Sequence, residues 1–227
     1  HLPWAAHRCG VRRFMQVGSL GAYAPAEVLY EDDMWTGVSP LNDRAGMAKR
    51  MGEYFAELCR VEYKFESLAI VRPANTYGPF DDFDSEGAMV VPAKIKQVVS
   101  GENPLVSWGD GSAVRDFMYC RDVAAGMLQA AQCEYAEPVN LGSGMGVTIE
   151  ALVEMICSVA GEIGLTVPEL IWDVSKPAGD ARRVLNVDRA RSIGFEPQTS
   201  LYDGLKKTML WYLSNGDIRQ KRYNAFA

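Results

Sequence analysis

The sequence predicts an α/β fold built on a parallel sheet, and three stretches predict it. Residues 13–17 are a short strand-like run that ends in Gly18-Ser19. Residues 40–60 hold a helix: from Arg44 onward, Met47, Met51, Tyr54, Phe55 and Leu58 recur at three- and four-residue spacing. Residues 67–71 are a second strand-like run, ending in Arg72-Pro73-Ala74-Asn75. Strand, helix, strand, with polar residues at the strand ends, is a βαβ unit with its site at the carboxyl edge.

The remaining elements follow in order. Residues 1–10 read as the tail of a helix with Gly10 as its C-cap. Pro40, Asn42 and Asp43 supply turn and N-cap chemistry before residue 44. Lys49 lies one turn after Ala45, on the same face. FDDFD at 80–84 is an acidic, aromatic loop. A helix over 90–100 has Pro92 in its first turn. A short strand at 105–108 leads into the tight turn Gly109-Asp110-Gly111-Ser112. Residues 116–119 are extended, and the alanine-rich helix at 122–132 suits close packing on a sheet. A strand at 138–141 precedes the glycine-rich 142–146. Thr148 caps a helix over 149–160, with Glu150 and Glu154 in and near its first turns. Then come a short strand at 170–172, a polar loop at 176–183, a helix at 187–193 stopped by Gly194, and a long helix at 201–214. No internal repeat or low-complexity linker interrupts the chain.

Composition sets bounds. With 227 residues, 48% of them hydrophobic, the chain can bury a real core. A net charge of −6 argues against nucleic acid or a membrane surface as the main partner. Five cysteines, odd in number and scattered, suit reduced thiols in a cytoplasm, and none has zinc-ligand spacing. His1 and His7 lie away from every motif and are assigned no catalysis.

The motifs carry a resemblance. Gly18-Ser19-x-x-x-Tyr23, then Gly46 and Lys49 in a YGxxK-like frame, then RPANTYGP at 72–79, resemble the extended short-chain dehydrogenase/reductase family. YGPFDDFD (77–84), WGDGSAVRDFMY (108–119) and WDVSKPAGDARRVLNV (172–187) are similar to its GDP-fucose synthase-like subgroup. The resemblance implies a Rossmann-type parallel sheet with a smaller α/β substrate domain. It implies bound NAD or NADP, and a nucleotide-diphosphate sugar as substrate, with a GDP-sugar favoured. Along the chain it implies a partial dinucleotide-binding domain at 1–77 and a substrate-domain segment at 78–112. A return to the sheet at 113–141 and the substrate domain with a tail at 142–227 complete this plan. A dinucleotide site needs a Gly-x-x-Gly-x-x-Gly loop, because only glycines let the backbone approach the pyrophosphate. No such loop occurs here, so the chain reads as part of a longer protein.

The same resemblance assigns roles. Ser19 and the family tyrosine bracket the sugar oxygen, while Lys49 lowers that phenol's pKa and holds the nicotinamide ribose. Here the tyrosine position is Ala45, which has no ionisable group. Pro73 and Ala74 line the nicotinamide, and Asn75 hydrogen-bonds the sugar or its diphosphate. Trp108 stacks on the base, Arg115 grips phosphate, and Lys176 adds a third contact at the nucleotide end. Taken singly, Trp108 reads equally as core, and Arg115 or Lys176 as solvated charge. Gly21 and Met89 stand where the subgroup moves protons with a cysteine and a histidine, and Met89 becomes a pocket wall. Leu20-Gly21-Ala22 offers no proton carrier for elimination or decarboxylation. What remains is C4 epimerisation through a transient ketone, with ketoreduction as the alternative. The non-enzymatic rival is a nucleotide-sugar-binding pseudoenzyme.

The helix after residue 44 has two apolar rows. Met47, Met51, Tyr54 and Leu58 form one; Ala48, Phe55 and Cys59 form part of another. A helix apolar on more than one side is buried on more than one side. The resemblance implies that one row packs on the sheet and the other on a second copy, in a homodimer.

Overall fold

A computed structural model describes residues 1–37, 44–84, 87–133, 135–177 and 179–215. In chain order they form α1 (Leu2–Arg8), β1 (Phe14–Val17), β2 (Val28–Leu29), α2 (Arg44–Tyr63), β3 (Leu68–Pro73) and β4 (Asn75–Tyr77). There follow α3 (Val90–Val99), β5 (Leu105–Trp108), β6 (Val114–Arg115), β7 (Phe117–Tyr119), α4 (Cys120–Gln132) and β8 (Val139–Leu141). The last elements are β9 (Val147–Thr148), α5 (Ile149–Glu162), β10 (Leu170–Asp173), β11 (Arg182–Leu185), α6 (Asp188–Ser192) and α7 (Leu201–Ser214). The capping residues expected at Pro40, Asn42 and Asp43 lie outside the described residues.

The chain divides into two compact units. The first joins His1–Thr76, Arg115–Gly146 and Arg182–Gln198; the second joins Tyr77–Val114, Val147–Ala181 and the segment from Thr199 onward. Residues 142–146 and 182–198, expected in the smaller domain, therefore group with the first unit. The reason is β11. The polar loop expected over 176–183 gives way at Arg182 to a strand, and β11 pairs in parallel with β2, Val184 beside Val28 and Leu185 beside Leu29.

In the first unit β1, β3 and β8 form a parallel sheet in that order. Phe14 sits beside Leu68 and Val17 beside Val71, while Val71 sits beside Val139 and Pro73 beside Leu141. Val71, Val139 and Leu141 join Met118, Val123, Leu185 and Phe195 in one core. The alanine-rich α4 packs on β3 and β8, as its small residues predict. In the second unit β5 and β10 pair in parallel, Leu105 beside Leu170 and Trp108 beside Asp173. Helices α3, α5 and α7 pack on one another through buried Ile95, Ile156, Leu205 and Met209. Thr148 caps α5 as expected, its hydroxyl accepting from the Ala151 N–H at 3.1 Å.

Of the two rows expected on helix α2, only Cys59 is buried. Its buried row is Gly46, Arg50, Glu53, Ala56 and Cys59. Met51, Tyr54, Phe55 and Leu58, four members of the two expected rows, are exposed. Charged residues can face inward here because each finds a partner. Arg50 donates to the Gly37 carbonyl at 2.7 Å, and Glu53 pairs with Arg72.

One carboxylate organises the loop after β8. Asp116 is fully buried and accepts from the Ser143 N–H at 2.9 Å, the Ser143 hydroxyl at 2.6 Å and the Gly144 N–H at 3.2 Å. A Cβ on Gly142 would lie 2.6 Å from Asp116 Oδ2, so glycine is required for the approach. Burial pushes the Asp116 carboxyl up, against the pull of these hydrogen bonds. Asp116→Ala strands these donors and is expected to destabilise the fold by about 2–5 kcal/mol. Asp116→Asn keeps an acceptor and should recover part of that loss. Chemical denaturation of the three proteins gives the comparison, and an Ala variant as stable as the parent would remove Asp116 from this role.

Candidate active-site edge in the first unit

The first unit gathers the expected reacting groups at the carboxyl edge of β1 and β3. The β1 ladder continues through Gly18, whose N–H donates to the Val71 carbonyl at 2.8 Å. Ser19 follows in an extended conformation and caps the single 3₁₀ turn Leu20–Ala22, its Oγ accepting from the Gly21 N–H at 3.1 Å. Lys49 reaches the same edge from α2. Its Nζ donates to the Val17 carbonyl at 3.1 Å, two residues before Ser19. Ala45 lies one turn earlier, exposed in the first turn of α2. The structure thus brings Lys49 to the strand end that carries Ser19, with Ala45 on the same helix.

Asn75 is fixed by the residue before β7: its backbone N–H and its side-chain nitrogen both donate to the Asp116 carbonyl, at 3.1 and 2.8 Å. The side-chain oxygen is left as the group it can present to a ligand. Pro73 is half-buried. Ala74 differs from expectation. Its side chain belongs to the core and its N–H donates to the Leu141 carbonyl, so Pro73 supplies the accessible apolar surface of that pair. Arg115 is half-buried in β6.

Beneath this edge lies a polar network that motif reading did not reveal. Arg72, 1% exposed, pairs with Glu53 through two nitrogens, Nη2 to Oε2 at 2.8 Å and Nε to Oε2 at 2.9 Å. Its Nη1 donates to the Tyr23 hydroxyl at 2.7 Å and to the Glu31 carbonyl at 2.8 Å. Tyr23 in turn donates to Asn140 Oδ1 at 2.6 Å. The Asn140 N–H donates to Glu31 Oε1 at 3.0 Å. Gly18 sits directly on the ion pair: a Cβ there would meet Glu53 Oε1 at 2.0 Å. Burial pushes the Tyr23 phenol far above the usual range, although Arg72 opposes it, so Tyr23 is a structural hydroxyl and no replacement for the missing tyrosine. Burial also raises Glu53, against the attraction of Arg72. One signal for this network was present: a charged Arg72 closing an otherwise apolar buried strand needs a buried acid.

The second unit carries the other expected residues. Burial alternates along β5, leaving Val106 and Trp108 on the exposed face. Lys176 Nζ lies 5.8 Å from the centre of the Trp108 ring, within cation–π range. Trp108, 64% exposed, is therefore not core. Met89 sits exposed at the N-cap of α3.

Comparisons with known proteins give the family and the fold. Residues 2–142 match the family model described as the NAD dependent epimerase/dehydratase family. GDP-L-fucose synthase 1 of Arabidopsis thaliana is 32% identical over 219 residues, which cover 93% of this chain and 66% of that protein. The chain spans about two thirds of the length of the curated relatives it matches. A UDP-glucose 4-epimerase from Thermotoga maritima, solved with UDP-glucose, superposes with a TM-score of 0.79 at 29% identity, covering 94% of this chain and 67% of that one. A GDP-L-fucose synthetase from Naegleria fowleri, solved with NADP, shares the fold with a TM-score of 0.82 at 22% identity, covering 96% and 71%.

The buried acid Glu31 gives a pH test. Burial raises its pKa, with the Asn140 N–H, Arg189 and Arg72 opposing. A carboxyl raised in the folded state stabilises most below its unfolded pKa of about 4.3, and that contribution is lost as pH rises through the folded value. Glu31→Gln keeps an acceptor for Asn140 and removes the titration. The denaturation midpoint of Glu31→Gln should fall less than that of the parent between pH 4 and pH 8. Parallel curves would show that Glu31 is not shifted.

Proposed function

The chain belongs to the NAD dependent epimerase/dehydratase family, and from that premise we propose that the protein modifies a nucleotide-diphosphate sugar at C4, inverting it through a transient ketone. The observation that carries this reading is the Lys49–Val17 bond, which holds an ammonium beside the Ser19 strand end. The donor set suits a nicotinamide riboside: Lys49 for ribose hydroxyls, and the accessible edge of Pro73 for an apolar ring. NAD or NADP, when bound, supplies hydride acceptance and return at the sugar carbon.

The chain's own residues take the other tasks. Ser19 hydrogen-bonds the C4 oxygen, and Asn75 presents its side-chain oxygen to a sugar hydroxyl. In the second unit Trp108 offers a ring face to a base and Lys176 a charge to phosphate, with Met89 as apolar wall; in the first unit Arg115 offers a cation to phosphate. A GDP-sugar is favoured because GDP-L-fucose synthases are among the relatives. A GDP-fucose synthase-like epimerase-reductase is the alternative enzyme. Against its 3,5-epimerisation, Gly21 and Met89 carry no transferable proton.

Ala45 supports a second reading, a protein that binds the sugar and turns it over slowly or not at all. The C4 hydroxyl proton has no phenol to receive it at position 45, and Tyr23 is held by Arg72 and Asn140. Five free thiols support a reducing, cytoplasmic setting for either reading.

The functional test combines binding and turnover in the full-length protein. Lys176→Ala should weaken nucleotide-sugar affinity by about tenfold or more in calorimetry. Ala45→Tyr should raise turnover by roughly 10²–10⁴-fold. Binding without any gain from Ala45→Tyr would leave the binding reading; no binding of GDP-, UDP- or dTDP-sugars would overturn both.

The exposed row of α2 supports a homodimer. Met51, Tyr54, Phe55, Leu58 and Val61 are all exposed, and Trp35 meets Tyr54 edge-on at 6.4 Å. So continuous an apolar row on a monomer surface supports an interface, and its one-helix shape suits a second copy of the same helix. Light scattering should report a dimer at micromolar concentration, and Leu58→Glu should shift it to monomer. A monomeric parent protein would count against this.

A further inference from the structure

Ser19 stands on a very small structure. One 3₁₀ turn of three residues is marginal alone. Its hydrogen bonds are the Gly21 N–H to Ser19 Oγ, the Ala22 N–H to the Ser19 carbonyl at 3.1 Å and the Tyr23 N–H to the Leu20 carbonyl at 3.3 Å. Yet the hydroxyl of a proton-handling serine must be held to a fraction of an ångström.

Two arginines from two strands grip this turn. Arg183 of β11 donates from Nη2 to the Leu20 carbonyl at 2.9 Å and to the Tyr23 carbonyl at 3.3 Å. It thereby ties the beginning of the turn to its end. Arg72 of β3 donates to the Tyr23 hydroxyl at the far end of that side chain, and Asn140 Oδ1 of β8 accepts the hydrogen bond which that hydroxyl donates. Arg72 is itself locked by Glu53, which lies one helical turn beyond Lys49 on α2. The same guanidinium therefore links the helix of Lys49 to the turn of Ser19.

We propose that Arg183 and Arg72 are positioning residues for Ser19, and that the Arg-Arg pair at 182–183 holds one residue that braces the site from below. This deepens the functional reading above and rests on it for the catalytic part. Arg183 acts through the turn and touches neither sugar nor phosphate.

Two measurements separate the brace from the function. The first is hydrogen exchange of a peptide covering residues 19–24, which needs no activity. Arg183→Gln should speed its exchange by about tenfold or more, from the loss of charge-assisted bonds. Arg183→Lys should loosen it as well, because an ammonium keeps the charge without the planar fork. Arg191→Gln, at a surface pair on α6, should leave it unchanged. Unchanged exchange in both Arg183 variants overturns the brace. The second measurement is kinetic, in full-length protein carrying Ala45→Tyr. Arg183→Lys should lower kcat about 10- to 100-fold at constant KM, and this loss should vanish when Ser19→Ala is also present. A rise in KM instead would make Arg183 a ligand contact, and an undiminished kcat loss without Ser19 would show that it acts elsewhere. Either overturns the proposal. If the Ala45→Tyr protein has no turnover, the proposed reaction falls, and exchange decides the brace by itself.

Discussion

The buried Glu53–Arg72 ion pair is the constraint on which the first unit depends. Two unit charges removed from water gain little net stability from their attraction, because desolvation consumes most of it. What the pair supplies is direction. A guanidinium has a planar fork: here Nε and Nη2 hold Glu53 on α2, while Nη1 reaches both the Tyr23 hydroxyl and the Glu31 carbonyl. Leaving either ion unpaired would be far more costly than keeping the pair, so competing arrangements of these segments are disfavoured. Gly18 completes the arrangement, since any side chain there would displace the Glu53 carboxylate.

This pair also explains why α2 shows its apolar row to solvent. A helix ordinarily turns its most hydrophobic face to the sheet. Here the sheet presents a charged Arg72, and the helix answers with Glu53 beside Gly46, Ala56 and Cys59. The row of Met51, Tyr54, Phe55 and Leu58 is then left outside. Site geometry and the proposed subunit contact are thus two sides of one helix. The inner side sets where Lys49 stands, and the outer side is available to a second copy.

Much of this was legible in the sequence, and the failures have physical causes. Helix α7 and strand β5 were readable to the residue, because their patterns match one period and their caps are local. The strand–helix–strand frame and its carboxyl edge were readable for the same reason. The burial of α2 was not, because periodicity reports where apolar residues lie and not which face a buried arginine will claim. Strand β11 was missed because Arg182 and Arg183 made it look like solvated loop. Its pairing with β2 joins residues about 155 apart, beyond any local pattern. The burial of Ala74 was not legible beside Pro73, because it depends on a core assembled from β8 and α4, far along the chain.

The glycine-rich loop at 142–146 has the look of a phosphate cradle, with backbone N–H groups converging on one point. In this fold the point is filled by Asp116. The anion is covalently part of the chain, so it arrives at the loop at the effective concentration of an intramolecular partner and is never diluted away. The loop is consequently ordered without regard to metabolite supply. The glycines here answer to a tethered counter-ion and not to a phosphate.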